Sequence, residues 1–243
     1  MILKTEGIVL KTIDFRETSR IATFFTRDYG KVSGILKGIR KDPRKFSSSL
    51  ERFSVNDIVY YQYRNSDLHL ISQCDLKEFY LPIRQELKRS LATHYMLELV
   101  HLIMPSEEKN RDIYDLMKDF LATLSDEGSV DPLVHFFQIK ILLLSGFKPH
   151  LDTCVKCQKQ IKGRSRFSLK DGGLVCHQCP LTDTPVHYIS PGTVASIIHV
   201  EKNDWPSCLR LKLTKTSQKE LKYILNNFLM FHLGKKIKSA KYL

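Results

Sequence analysis

No glycine-rich phosphate loop and no evident Ser/His/Asp or paired-carboxylate constellation occurs in the sequence, which leaves no candidate catalytic centre. Long apolar runs are missing too. The longest apolar helix, near Val134 to Leu144, is interrupted by His135, Gln138 and Lys140 and is too short to span a bilayer. The N-terminal stretch MILKTEGIVLK is broken by Lys4, Glu6 and Lys11, so it has no signal-peptide core. A soluble, cytoplasmic chain with no membrane partner is expected. Tryptophan occurs once, as Trp205 beside Pro206, and reads as a loop anchor. Acidic residues are few: 26 against 38 basic ones give a net charge of +12. Nucleic acid is the natural polyanion for such a surface.

Cysteine is sparse but ordered. Cys154 and Cys157 form one CxxC, and Cys176 and Cys179 form a second after eighteen intervening residues. Two such pairs at this spacing read as a four-thiolate zinc site. A catalytic zinc keeps one position open, whereas four thiolates close the tetrahedron, so one structural Zn2+ is expected. Zinc deaminases carry a proline directly before the second CxxC, and here Val175 stands there. His177 lies between the second pair, where a four-cysteine site does not need it. Cys74 and Cys208 have no partner at metal spacing; Cys74 shares strand parity with Leu68, Leu70 and Leu76 and reads as a core thiol.

Residues 1–80 read as five strands, about 6–13, 19–27, 31–41, 53–63 and 68–79, with turn signals at Asp28-Tyr29-Gly30 and Asn65-Ser66-Asp67. Val55, Val59, Tyr61 and Tyr63 alternate onto one face. Five short strands suit an OB-type β-barrel, though an SH3-like barrel fits the same pattern. After Pro82 the apolar period becomes helical, through Leu87, Leu91, Tyr95 and Leu99 and again through Ile113, Leu116, Phe120 and Leu124. A third helix is expected from Asp131 as N-cap to Gly146, a fourth from Ser190-Pro191, and a last one opened by a Ser217/Glu220 capping box and closed by Gly234. The expected fold class is α+β: a barrel over 1–80, a helical bundle over 81–150 and 186–243, and a zinc-ribbon-like insertion over 151–185.

The basic residues are concentrated. Lys31, Lys37, Arg40, Lys41, Arg44 and Lys45 lie within fifteen residues, and Lys11, Arg16, Arg20 and Arg27 precede them on or near the first strands. Such a row can meet the phosphates of successive nucleotides. Strand parity places Lys31, Lys37 and Lys41 on one face and Arg40 on the other, unless Gly34 or Gly38 permits a bulge. Tyr29 and Phe46 are equally placed to stack on bases or to pack; Tyr60, Tyr61 and Tyr63 read as barrel residues. Around the cysteines, Lys156, Lys159, Lys162, Arg164, Arg166 and Lys170 outnumber Asp171, and part of that charge serves the thiolates. Residues 201–243 hold ten basic and three acidic side chains.

Three stretches carry a family resemblance. GKVSGILKGIRKDPRKF (Gly30 to Phe46), GFKPHLDTCVKC (Gly146 to Cys157) and FHLGKKIKSAKYL (Phe231 to Leu243) resemble the RecO recombination mediators. The resemblance implies an N-terminal OB fold, a helical bundle and an inserted zinc element. It further implies a non-enzymatic, nucleoid-associated protein that binds single- and double-stranded DNA, anneals complementary strands, and loads recombinase with RecR and the single-stranded DNA-binding protein. The acidic, hydrophobic C-terminal tail of that last partner would suit Lys235, Lys236 and Lys238. A translation-associated RNA-binding module and a zinc-dependent nucleic-acid enzyme are the alternative readings.

Overall fold

The computed structural model describes residues 1–42, 46, 50–126, 129–182 and 185–243. Contacts divide the chain into two compact units, Met1–Gly128 with Tyr242–Leu243, and Ser129–Lys241. The helices expected as one bundle are therefore shared between the two. No helix among the described residues is long and apolar enough to cross a membrane.

The first unit is built on strands β1 (Ile2–Phe15), β2 (Ser19–Thr26), β3 (Gly30–Leu36), β4 (Ser54–Tyr61) and β5 (Leu68–Phe79). They close into a barrel in the order β1-β2-β3-β5-β4. Four pairings are antiparallel and β3–β5 is parallel. That parallel closure is the OB connection and separates it from the SH3-like alternative. β1 spans the barrel because a bulge between Val9 and Lys11 bends it, so that its first half pairs with β4 and its second half with β2. Val9, Ala22, Phe24, Val32, Leu36, Ile58, Tyr60, Ile71 and Cys74 fill the interior.

β4 alternates without a break, with Asn56, Ile58 and Tyr60 inside and Tyr61 exposed, and the register shifts opposite Val55/Asn56 and Val59/Tyr60 fall in β5, at Lys77 and Ser72. The extra residue at Ser72 turns Cys74 inward with Ile71 and away from the face of Leu68 and Leu70, while Leu76, on the parity of Cys74, is exposed. Tyr63 is exposed, whereas Phe46 is buried in the barrel core and Tyr29 packs edge-on against Tyr60 at 6.1 Å; the last two pack rather than offer rings to bases.

Helices α1 (Leu81–Gln85), α2 (Leu87–Ile103) and α3 (Arg111–Ser125) complete this unit. The first expected helix is interrupted at Glu86, whose carboxylate accepts from the Lys88 and Arg89 N–H groups and caps α2, leaving Leu87 exposed. Glu6 on β1 ties the barrel to α3. It accepts from Tyr114 Oη at 2.7 Å and from Lys77, and Lys118 Nζ lies 3.6 Å away.

The second unit holds α4 (Val130–Leu144), a three-stranded sheet β6 (Ser165–Ser168), β7 (Gly173–Val175) and β8 (His187–Ile189) in the order β7-β6-β8, then α5 (Pro191–Lys202), α6 (Trp205–Leu209) and α7 (Lys215–Leu233). The sheet runs past the expected end of the insertion at 185 to Ile189. α4 packs on α5 and α7. Its polar groups are absorbed: the buried His135 ring donates to Gln138, Gln138 donates to Asn226 on α7, and Lys140 donates to the Asn203 carbonyl. The N-cap position of α4 is Ser129 rather than Asp131, and its side chain makes no capping hydrogen bond. Thr214 caps α7, and Glu220 reaches away from its own helix to accept from Ser190 N, Ser190 Oγ and Thr193 Oγ1 at the start of α5. The expected Ser217/Glu220 box is thus replaced by a link between two helices. Trp205 and Cys208 are buried.

Burial alone would raise the Glu6 pKa, but hydrogen bonds from Lys77 and Tyr114 and the charges of Lys118 and Lys77 hold it below its ordinary 4.5. A carboxylate lowered on folding contributes stability above its unfolded value, and that contribution disappears as pH falls through the folded one. Glu6→Gln is therefore expected to destabilise the chain by about 1.5–3 kcal/mol at neutral pH. The gap to the parent should narrow as urea midpoints are followed from about pH 5 to pH 3. An equal gap across that range would remove Glu6 from this role.

Candidate nucleic-acid interface and metal centre

The loop after β3 is set by Gly38. With φ at +79° it turns the chain out of the strand, and the Lys41 and Asp42 N–H groups donate to its carbonyl. The expected strand to residue 41 therefore stops at Leu36, and the face assignment of Lys37, Arg40 and Lys41 by alternation does not apply. Ile39 points into the barrel core while Lys37, Arg40 and Lys41 are exposed. Arg40 is joined to the β1–β2 loop by its N–H to the Thr18 carbonyl at 3.0 Å and by its guanidinium to the Arg16 carbonyl at 3.2 Å.

Asp14 gathers the arginines. Its carboxylate accepts from Arg20 Nε at 2.8 Å and lies 3.7 Å from Arg40 Nε. The Arg20 hydrogen bond holds the Asp14 pKa below its ordinary value. Arg16, Arg20, Lys37, Arg40 and Lys41 thus share one end of the barrel, with Asp14 as the organising counter-charge that sequence reading missed. Its signal was available only through register, since Asp14 sits directly opposite Arg20.

From this rim a cross-strand row runs over the outside of the barrel. Ile13 pairs with Ile21, Ile21 with Ile35, and Ile35 with Leu70. Ile13 is 49% exposed, and the other three are half-buried. Lys11, exposed, pairs with Thr23 in the adjacent row. An apolar strip beside clustered cations on the strand 2–3 side of an OB barrel has the composition that unstacked bases and phosphates require. Tyr63 and Arg64 lie in the β4–β5 loop, a segment the charge count passed over, where residues 62–67 and Glu107 line a cavity of about 410 Å³.

The remaining expected cations lie elsewhere. Arg27 is exposed at the β2–β3 hairpin, the opposite end of β2. Lys31 Nζ donates to the His101 and Met104 carbonyls at 2.9 and 2.6 Å, closing the C-terminus of α2, where a cation also complements the helix dipole. Arg44 and Lys45 fall outside the described residues.

In the second unit the four sulfurs of Cys154, Cys157, Cys176 and Cys179 lie within 4.8 Å of one another. The Cys157 and Cys176 sulfurs are 3.8 Å apart, the edge of a tetrahedron whose centre is about 2.3 Å from each thiolate. The first knuckle is held to the β6–β7 hairpin by Val155 N to Leu174 O and Leu174 N to His150 O. Gly173 permits this approach, because a Cβ there would stand 2.3 Å from the His150 carbonyl.

Burial raises the Cys154 pKa, yet N–H groups of Cys176, Cys157 and Lys156 bring it down to about 6. The sulfurs of Cys157 and Cys176 push Cys179 up to about 12. Four thiols this close resist ionising together, and a divalent cation at their centre removes that penalty. The four cysteines are therefore placed to hold one metal ion. His177 donates to the Arg164 carbonyl and is not among them; Lys156 pairs with Asp171 at 2.6 Å. Arg166, counted among the surrounding charges, instead donates to the carbonyls of Cys176 and Cys179 and braces the second knuckle.

Comparison with known proteins agrees along the whole length. The family descriptions "Recombination protein O N terminal" and "Recombination protein O C terminal" match residues 1–80 and 84–241. The chain is 31% identical over 244 residues to the DNA repair protein RecO of Syntrophus aciditrophicus (strain SB), covering 99% of this chain and 94% of that one. It is 30% identical over 236 residues to the DNA repair protein RecO of Alkaliphilus metalliredigens (strain QYMF), covering 97% and 95%. The DNA repair protein RecO of Thermoanaerobacter sp. (strain X514) is 30% identical over 247 residues, covering 100% and 97%.

Removing the Arg166 brace leaves the ligands in place but loosens their geometry. Arg166→Ala is expected to speed metal transfer to a colorimetric chelator by about 10–100-fold, the usual scale for an outer-shell partner, with stoichiometry unchanged. Transfer at the parental rate would show that the knuckle is set by its own turn.

Proposed function

Because the chain belongs to the RecO family of DNA repair proteins, we propose that it is a DNA-binding recombination mediator that anneals complementary strands and helps load recombinase together with RecR. The observation carrying this reading is the rim of Arg16, Arg20, Lys37, Arg40 and Lys41 beside the Ile13–Ile21–Ile35 row. Phosphates meet the rim while bases lie on the apolar strip. Annealing of this kind requires phosphate neutralisation and exposed bases rather than a catalytic residue. Two strands that repel one another can meet once their charge is compensated.

In this reading the four cysteines hold one structural Zn2+, whose contribution is to fold the segment around the β6–β7 hairpin. The single-stranded DNA-binding protein's acidic, hydrophobic tail docks near the end of α7. There Lys235 and Lys236 are exposed beside Phe231, which is 52% exposed, and Phe147 and Met230 are also exposed. Lys238 belongs to the same basic segment and flanks the buried Ile237.

If the five rim cations each neutralise one phosphate, log affinity for single strands should fall with log salt at a slope of roughly −3.5. Lys37→Glu with Arg40→Glu should flatten it by about 1.4 and slow annealing. A variant that binds and anneals like the parent would overturn the rim assignment, and equal action on RNA strands would favour an RNA-binding role. A synthetic acidic tail peptide should bind saturably by calorimetry, and Lys235→Glu with Lys236→Glu should weaken it while sparing most DNA affinity. Peptide binding unaffected by that pair would move the site away from α7.

A further inference from the structure

A second cationic site lies in the first unit, formed by residues that the basic rim does not use. Glu51, Arg52 and Phe53, at the end of the β3–β4 loop, and Arg84, Ser90 and His94, on α1 and α2, line a cleft of about 350 Å³. Its groups are held in a defined arrangement. The His94 Nδ1–H donates to the Ser90 carbonyl at 2.8 Å, which fixes the tautomer and turns Nε2 into an acceptor for Arg52 Nη1, also at 2.8 Å. That bond uses one of the guanidinium's five N–H donors. Phe53 is buried and meets the His94 ring edge-on at 5.0 Å, and its backbone is in the left-handed region with φ at +66°. A phenylalanine rarely adopts that conformation, and such strain is kept only where the surroundings enforce it.

Arg84 is fixed in the same way, by Glu51 at 2.8 Å and by stacking 5.6 Å from the centre of the Phe79 ring. Among the described residues Glu51 is the one carboxylate of the lining, and it is already paired with Arg84, so the two guanidiniums leave the cleft with an excess of positive charge. Planar forks of this kind match the oxygens of a phosphate better than ammonium groups do.

We infer that this cleft is a phosphate subsite for a nucleic-acid strand, separate from the rim and binding one backbone phosphodiester between Arg52 and Arg84. The inference rests on the DNA-binding reading, which it extends from a row of contacts on the barrel to an additional point between the β3–β4 loop and the helices. The loop that starts in the rim at Lys37 ends in the cleft at Phe53, so one continuous segment carries both sites. A phosphate that draws Arg52 toward itself replaces the Arg52–His94 hydrogen bond, which makes the His94 ring a built-in reporter.

The test uses the full chain and a tetrathymidylate, followed by NMR of the histidine ring nitrogens. His94 should shift saturably on addition of the oligonucleotide, and Arg52→Gln with Arg84→Gln should abolish the shift. The same pair should flatten the salt slope for longer strands by about 0.7, the share of one phosphate. Glu51→Gln removes the competing carboxylate and should tighten binding several-fold at low salt, a change of sign that a purely structural role would not give. An oligonucleotide that binds the chain and leaves His94 unmoved overturns the subsite while the DNA-binding reading stands. Should no oligonucleotide bind, the DNA-binding reading fails and with it the strand as ligand; a His94 shift with inorganic phosphate alone would then reduce the cleft to a site for small anions.

Discussion

Leu10 is the extra residue that bends β1, and the arrangement of the first unit follows from it. Before the bulge Val9 faces the barrel interior and the other face carries Glu6 and Ile8, with Glu6 bonded to Tyr114 of α3. After it Ile13 faces solvent and Asp14 faces Arg20 across the strand pair. One strand therefore serves two environments, a helix-bonded surface along its first half and an open one along its second. Without that switch the same fourteen residues would keep one face throughout, and the open row of isoleucines could not coexist with the Glu6 contact.

The cysteine element rests on a different constraint. Its folding is dictated less by apolar area than by four sulfurs that oppose one another's ionisation, and backbone donors and carbonyl clamps hold them at a spacing where one cation resolves the conflict. The basic residues around it are accordingly divided. Arg166 and Lys156 hold the loops, Arg164 lies over the Tyr188 ring at 4.8 Å, and little of the local charge is arranged as a continuous row. Clustered charge in a sequence is thus a poor guide to clustered function until each cation's partner is known.

Legibility followed the range of the interaction. The two CxxC pairs, the five strands, the Ser190-Pro191 helix start and the Gly234 stop were readable because each depends on neighbours a few residues away. Parity failed in β5, where the extra residue at Ser72 inverts the side chains that follow it. Lys31 looked like part of the basic row because its acceptors, the His101 and Met104 carbonyls, are about seventy residues distant. Glu220 looked like half of a local capping box for the same reason. The break at Glu86 was hidden inside an unbroken apolar period, since a carboxylate that caps the following helix leaves the spacing of leucines untouched.

The Glu220 link also sets an order of events on the ribosome. α5 begins at Pro191, but the carboxylate that satisfies Ser190 and Thr193 arrives thirty residues later, on α7. Chains emerge from the N-terminus, and domains generally fold as units. The start of α5 consequently waits with these polar groups in water until α7 has left the exit tunnel. The last tenth of the message therefore decides when the start of α5 is satisfied, while the barrel, whose pairings are complete by Phe79, is free to form long before.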